Sequence, residues 1–573
     1  MRNHNPTPAH RAAPLLWLLA GLAAFLFATP AHALDALPLT ELDPAITAAL
    51  RVYAAQTGTD AAALKRTTNP EKAEGAQAIQ TLTLNDPGQP VADLGGIGYL
   101  PRLTTLTLSS PALESLTGLS GHPNLQSLTL IDCPTLDLSP LADCPRLSRL
   151  TIRRSGGYVG DAGYDLTPLA GCQRLRALSL SGNCAADLGP IGYLAKLTEL
   201  SVRHVPATDY SAIGALSGLS SLTLYGAPGD QVAAAFSGRS RKMTSAYLGD
   251  CTLTSAANEA ILAHRRLTSL GFENVQGVDA AAAGWAGQGS LTSLLMEGGA
   301  LWDLSFLSAF TETTVVRLRD IALGADGARC TVDFDKYFCT LTDVPSDAVV
   351  EMLAGAKTRW NYATLRMAAG TLDAGVIAAF SEVSGLLSLD VDALGPDAFA
   401  PALWQGFASL EQLRLSRCQG VDLTAIASLP ALKRLSLVGC ALPANADLSQ
   451  AKKLRSLSLI GCQVPDWTLL DGLTCGRYLT TLTLAGCGGP ETLDFAAALQ
   501  GLESLAVEGA RATDLTPLAG LTALQSLYLY GTPIADYAPL TALADLRLLG
   551  CDEAAALPSL PCRTERRAFV DVP

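Results

Sequence analysis

A chain of 573 residues would ordinarily divide into several globular domains; this one is 49% hydrophobic, 16% charged and carries a formal net charge of −13. Such apolar and aromatic content excludes an intrinsically disordered chain. The acidic balance disfavours a nucleic-acid partner, because phosphate binding needs clustered Lys and Arg.

The first element is a targeting segment. Arg2 and Arg11 make a basic start, Leu15–Ala28 is an apolar run, and Ala31-His32-Ala33 has the small-x-small pattern that signal peptidase cleaves. The run is shorter than the ~20 residues that span a bilayer. Residues 1–33 are therefore expected to be removed, with the mature chain exported to the periplasm or beyond the cell. Their loss removes two cations and no acid, moving the formal charge from −13 to −15. No later segment is apolar and long enough for a transmembrane helix, so no membrane span is expected after cleavage.

From residue 79 the chain repeats. Leu103, Leu125 and Leu147 lead units 22 residues apart; Leu175, Leu197 and Leu219 continue, and Met243, Leu267 and Leu291 follow at a spacing of 24. In "LQSLTLIDC" (Leu125–Cys133) apolar Leu128 and Leu130 alternate with Ser127, Thr129 and Ile131, the pattern of a strand with one buried face. The following "DLSPLADCPR" (Asp137–Arg146) turns the chain back, with Pro140 suited to the first turn of a short helical or 3₁₀ segment. One such unit cannot bury its apolar face alone, so the units must stack. The fold class expected is an α/β solenoid: a leucine-rich-repeat horseshoe with a parallel concave sheet and short helical or 3₁₀ convex returns. Repeats are assigned to residues 79–321 and 362–551. Residues 322–361 fit poorly and read as an irregular island. Leu386, Leu410, Leu432, Leu454, Leu479, Leu502 and Leu524 lead the second array, with a last shortened unit near Leu543. Residues 552–573 read as a polar tail. Two middle returns, Ser255–Arg266 and Ser346–Lys357, read as amphipathic helices with Ser at the N-cap.

The returns "DLSPLADCPRL", "DLTPLAGCQRL" and "DLTPLAGLTAL" resemble the internalin class of bacterial leucine-rich repeats. The resemblance covers roughly residues 40–550. It implies an N-terminal helical cap within 34–78, formed by Leu42–Ala55 with Asp43 as N-cap and Pro44 at the first helical position. It also implies a solenoid that binds proteins or glycans and has no catalytic residue. No LPxTG motif or attachment module follows the repeats, a departure from the wall-anchored members.

Fourteen Cys in an exported chain invite a disulfide reading. Cys133, Cys251, Cys418, Cys440, Cys462, Cys487 and Cys551 instead fall eight residues after a leading apolar residue, where such repeats usually carry Asn. Cys there is a small, buriable substitute with a weak donor. Cys144, Cys172 and Cys475 take positions of a buried Leu. Cys330 and Cys339, in the island, are the disulfide candidates. The mature chain has only His122, His204 and His264, in separate repeats, so neither an enzyme site nor a metal site is expected and no cofactor is implied.

Outward strand positions are Ser or Thr for long stretches, as at Thr107, Thr129, Ser201, Thr223, Ser436, Ser458 and Thr483. In the middle they become Tyr247, Glu273, Glu297, Arg317, Arg319, Arg366, Asp390, Asp392 and Arg414, with Trp302, Trp360 and Trp404 close in sequence. Arg and aromatics concentrated on a binding fold mark a partner contact; an internal salt-bridge network is the other reading. The function expected is an exported binding scaffold for a protein or glycan, with a structural envelope scaffold lacking a single ligand as the alternative, and a leucine-rich-repeat effector enzyme less expected.

Overall fold

A computed structural model describes residues 44, 46, 48 and 49 and, with short gaps, residues 79–567. The chain forms two compact units, residues 1–176 and 177–573. The signal segment lies outside the described residues. Of the expected cap, Pro44, Ile46, Ala48 and Ala49 are helical and Ile46 is fully buried; the remainder also lies outside them.

In the first unit, strands Thr81–Leu84, Thr105–Ser109, Ser127–Ile131 and Arg149–Arg154 pair in parallel, each residue opposite its counterpart one repeat on, as in Leu106↔Leu128 and Leu128↔Leu150. In the second unit the same register runs from Ala177–Gly182 onward, for example Leu200↔Leu222 and Leu435↔Leu457. Each unit is a leucine-rich-repeat solenoid. Leu106, Leu128, Leu222 and Leu457 are fully buried, each contributing ~1.5–3 kcal/mol relative to exposure. That gain exists only while a neighbouring rung covers the side chain.

Many strands end in a left-handed residue, which lets the chain leave the sheet. Glycine fills this position at Gly182, Gly226, Gly439 and Gly461, and Asp132, Asp250 and Asn274 fill it elsewhere, as expected for the residues that tolerate positive φ best. The next position is the cysteine ladder. The Cys440 thiol lies 3.4 Å from Leu415 O and 3.5 Å from Val438 O, and that of Cys462 lies 3.3 Å from Leu437 O and 3.5 Å from Ile460 O. These thiols donate to backbone carbonyls of their own and the preceding rung.

Cys551 does not belong to that ladder. Leu548 registers with Ser526, so the last of these units starts at Leu546, not Leu543, and Cys551 takes the place of an inward strand residue, fully buried. The Cys330–Cys339 disulfide is likewise corrected: both thiols are free. Cys339 stands opposite Phe334, and Cys330 is four residues further along the same strand, about 13 Å at ~3.3 Å per residue, beyond the ~7 Å Cα limit for a disulfide. None of the fourteen Cys is in a disulfide, and all but Cys487 and Cys562 are buried. Burial pushes Cys172, Cys251 and Cys330 up to about 11. A thiol reagent at pH 8 should therefore label native protein at no more than two sites within minutes and all fourteen in denaturant without reductant. Mass spectrometry counts the adducts, and fewer than fourteen in denaturant would reveal a disulfide.

The returns are held by a recurring carboxylate. The N–H two residues on donates to Asp137 (from Ser139, 2.8 Å), Asp165 (from Thr167, 2.8 Å), Asp209 (from Ser211, 2.8 Å) and Asp514 (from Thr516, 2.8 Å). These bonds, with those from the same residues' hydroxyls, hold the four carboxyls below their ordinary value. A depressed carboxyl stabilises the fold above its unfolded value of ~3.9 and loses that contribution as pH falls through the lower folded value. The melting temperature should thus fall as pH drops below about 4, and Asp137→Asn with Asp514→Asn should weaken that fall. An unchanged acid slope in the double variant would contradict this.

Two middle helices, Ser255–Leu262 and Ser346–Leu353, replace 3₁₀ returns, but neither is capped by Ser. Thr254 caps the first, accepting from Ala257 N at 3.2 Å, and Pro345 precedes the second without a side-chain bond. The described residues of the island are mostly strand and helix. Strand Val315–Leu323 pairs antiparallel with Ala328–Phe334, which pairs antiparallel with Phe338–Thr342; the latter then pairs in parallel with Tyr362–Arg366. One reversed strand is thus inserted in the second unit's sheet, and the repeats resume at Phe338. Nor is the segment after 552 all tail, because Arg563–Arg567 adds a further parallel strand to Leu548–Asp552. Among the described residues, no helix is long and apolar enough to cross a membrane.

Candidate binding face

The register puts all nine singled-out residues on the outward face of the second unit's sheet, at the third position of a strand (Tyr247, Arg317, Asp390, Arg414) or the fifth (Glu273, Glu297, Arg319, Arg366, Asp392). Glu297 is exposed between Glu273 and Arg319 in the register, and the other eight fall into two groups.

The first group is an aromatic one. The Tyr225 and Tyr247 rings stack with centroids 5.9 Å apart and planes 23° apart. Both phenols donate to Glu273 Oε2, that of Tyr247 at 3.3 Å. The rings can lie flat because the next rung offers no side chain. A Cβ at Gly249 would sit 2.2 Å from the Tyr225 ring, and one at Gly271 would sit 2.2 Å from the Tyr247 ring. The Arg203 guanidinium stands 4.1 Å from the Tyr225 centroid, and His204 Nε2 lies 3.3 Å from Asp250 Oδ2. Burial, reinforced by the bond to Glu273, raises the Tyr225 phenol, and burial also raises that of Tyr247. Sequence reading found Tyr247 and Glu273 but missed Arg203, Tyr225 and the two glycines. A Tyr followed one repeat later by Gly at the same outward position was the available signal.

The second group is ionic. Arg317 and Arg319 both reach Asp333, at 3.5 Å each. Asp333 comes from the reversed strand, directly opposite Arg317. Arg414 lies 4.0 Å from Asp390. Arg417, which the sequence reading also missed, grips Asp392 with two nitrogens, at 2.8 and 2.5 Å. Burial raises the Asp390 carboxyl, opposed by Arg414 and Arg366. The Arg317, Arg319 and Arg414 side chains remain 56%, 52% and 54% exposed. Exposed pairs of this kind contribute only ~0–1 kcal/mol each.

The chain matches no family model and no curated protein. Among solved structures it is similar to a plant peptide hormone receptor, RGFR1 in complex with RGF2, at 15% identity, covering 85% of this chain and 79% of that one with a TM-score of 0.40. It is similar to TLR13 in a complex with ssRNA13 at 17% identity, covering 83% and 75% with a TM-score of 0.42. Internalin C2 of Listeria monocytogenes is similar at 20% identity, covering 41% of this chain and 96% of that one with a TM-score of 0.32. Likenesses this distant carry no argument about function, and the fold assignment rests on the repeat geometry.

The three Trp separate. Trp302 is 67% exposed, whereas Trp360 and Trp404 are core residues at 2% and 1% and leave the candidate face. Phe338 and Tyr362 stack at 4.9 Å between centroids with both rings exposed. His122 and His264 are buried, each with Nε2 against a backbone carbonyl, of Leu100 and Phe236 respectively. Among the described residues, no three His, Cys, Asp or Glu are placed to hold a metal ion.

Proposed function

We propose that this chain is an exported, internalin-like binding scaffold that offers the sheet face of its second unit to a protein or glycan partner. The observation that carries the reading is the change of outward residues from Ser and Thr to Tyr, Arg, Asp and Glu over the middle rungs, with the Arg side chains half exposed. A structural scaffold would use these residues as braces for the reversed strand, through the exposed pairs of Arg317 and Arg319 with Asp333. No catalytic role is proposed. Immobilised mature chain should retain one dominant partner from an envelope extract of the producing cell. Capture that is equally strong with the middle rungs neutralised would overturn the reading. Export has its own test: the intact mass of the protein recovered from that cell should lack residues 1–33, and a full-length N-terminus would contradict it.

A further inference from the structure

The geometry points to a cation subsite on the second unit's sheet face, in which the Tyr247 ring, Glu273 and Glu297 receive an arginine side chain of a partner polypeptide. The inference rests on the proposed binding role and specifies its chemistry. The second unit already contains one example of the contact. Arg203 stands over Tyr225 with its guanidinium 4.1 Å from the ring centroid, a cation–π distance. The neighbouring Tyr247 ring is stacked beside Tyr225 and is only half-buried. Its tilt is fixed by the bond to Glu273 and by the absence of a side chain at Gly271.

Charge selects the occupant. Glu297 stands one rung beyond Glu273 at the same outward position and is exposed. Its neighbour on the other side, Arg319, is engaged with Asp333. Half-buried Leu295, beside Gly271 in the register, offers an apolar surface for an arginine stem. Ring, carboxylates and apolar wall are the parts a guanidinium needs: a π face, acceptors for its planar fork and cover for its methylenes. A neutral sugar would use the ring and leave the charge of the two carboxylates uncompensated. The formal charge, −13 for the whole chain and more negative once Arg2 and Arg11 are removed, favours approach of a basic segment.

The test uses the mature protein and a fluorescein-labelled peptide Gly-Ser-Arg-Ser-Gly, with citrulline replacing arginine as the uncharged isostere. Fluorescence anisotropy should show binding of the arginine peptide and at least tenfold weaker binding of the citrulline peptide. Tyr247→Leu, Gly271→Ala and Glu297→Gln should each weaken the arginine peptide at least threefold. Glu297→Gln changes an exposed side chain and secures a folded variant. Equal binding of the two peptides, no binding of either, or unaltered affinity in Glu297→Gln and Gly271→Ala overturns the subsite. Because the probe is synthetic, these outcomes are read independently of capture from the envelope extract, whose failure would sink the broader role instead.

Discussion

Replacing Arg317 and Arg366 together by Glu should abolish capture of the partner while leaving the solenoid folded. Arg317 is 56% exposed and its partner Asp333 is 33% exposed, so reversing the charge costs the fold little. Arg366 is exposed and acts on Asp390 only through its charge. At an interface the same side chains present a planar fork and an apolar stem, and truncating such a residue can cost ~2 kcal/mol or more. Two together should weaken capture by about a thousandfold. Ser458→Glu and Thr129→Glu alter outward positions on rungs of small polar residues, where a lost hydrogen bond changes little because water replaces it. They should leave capture nearly intact. Circular dichroism and thermal melts check the fold in each variant. If the Arg variants unfold, these residues are braces; if they fold and still capture while Ser458→Glu does not, the site lies elsewhere.

The largest stability effect is expected at Trp404. It is 1% exposed, lies 5.4 Å from Phe407 and 6.2 Å from Phe399 between ring centroids, and donates from Nε1 to Ala398 O at 3.0 Å. Trp404→Ala removes this packing and leaves the Ala398 carbonyl without its donor, a loss of about 3–5 kcal/mol. Trp404→Phe should recover most of the packing but not the hydrogen bond. Trp302→Ala, at a side chain 67% exposed, should change stability by no more than about 0.5 kcal/mol. Urea unfolding followed through the region's hydrogen exchange measures both. A repeat array need not unfold in one step, so local protection is the better readout. Equal effects of the two alanine variants would contradict the assignment of Trp404 to the core.

The rungs were legible because their chemistry is local. Leu106, Leu128 and Leu150 repeat at 22 residues, alternate with polar residues and are followed by a turn rich in Asp and Pro. Nothing in that pattern encodes direction, so Ala328–Phe334, which alternates just as well, could not be recognised as antiparallel. The phase of the last rung failed for a related reason. Leu540, Leu543 and Leu546 recur every three residues, and only pairing with Ser526–Tyr528 selects Leu546 as the start. The outward face was half legible. Alternation alone put Tyr247, Glu273 and Arg317 on one side, but the convergence of Tyr225 and Tyr247 on Glu273 depends on rings crossing whole strands. Trp360 and Trp404 lie near the charged rungs in sequence, but nearness in sequence says nothing about which face a side chain takes, and both are buried. The island cysteines failed similarly, since spacing along the chain did not reveal that a hairpin sets them four positions out of register.

A partner seated on the sheet face of the middle rungs should leave its mark in hydroxyl-radical footprinting of the captured complex. Tyr247, Phe338 and Tyr362 lie on that face, whereas Tyr193 and Tyr478, 75% and 60% exposed, belong to the returns. Partner binding should protect the first three from oxidation and leave Tyr193 and Tyr478 as reactive as in the free protein. Protection of Tyr193 and Tyr478 with Tyr247, Phe338 and Tyr362 unchanged would show that the partner binds the return side and would contradict the account.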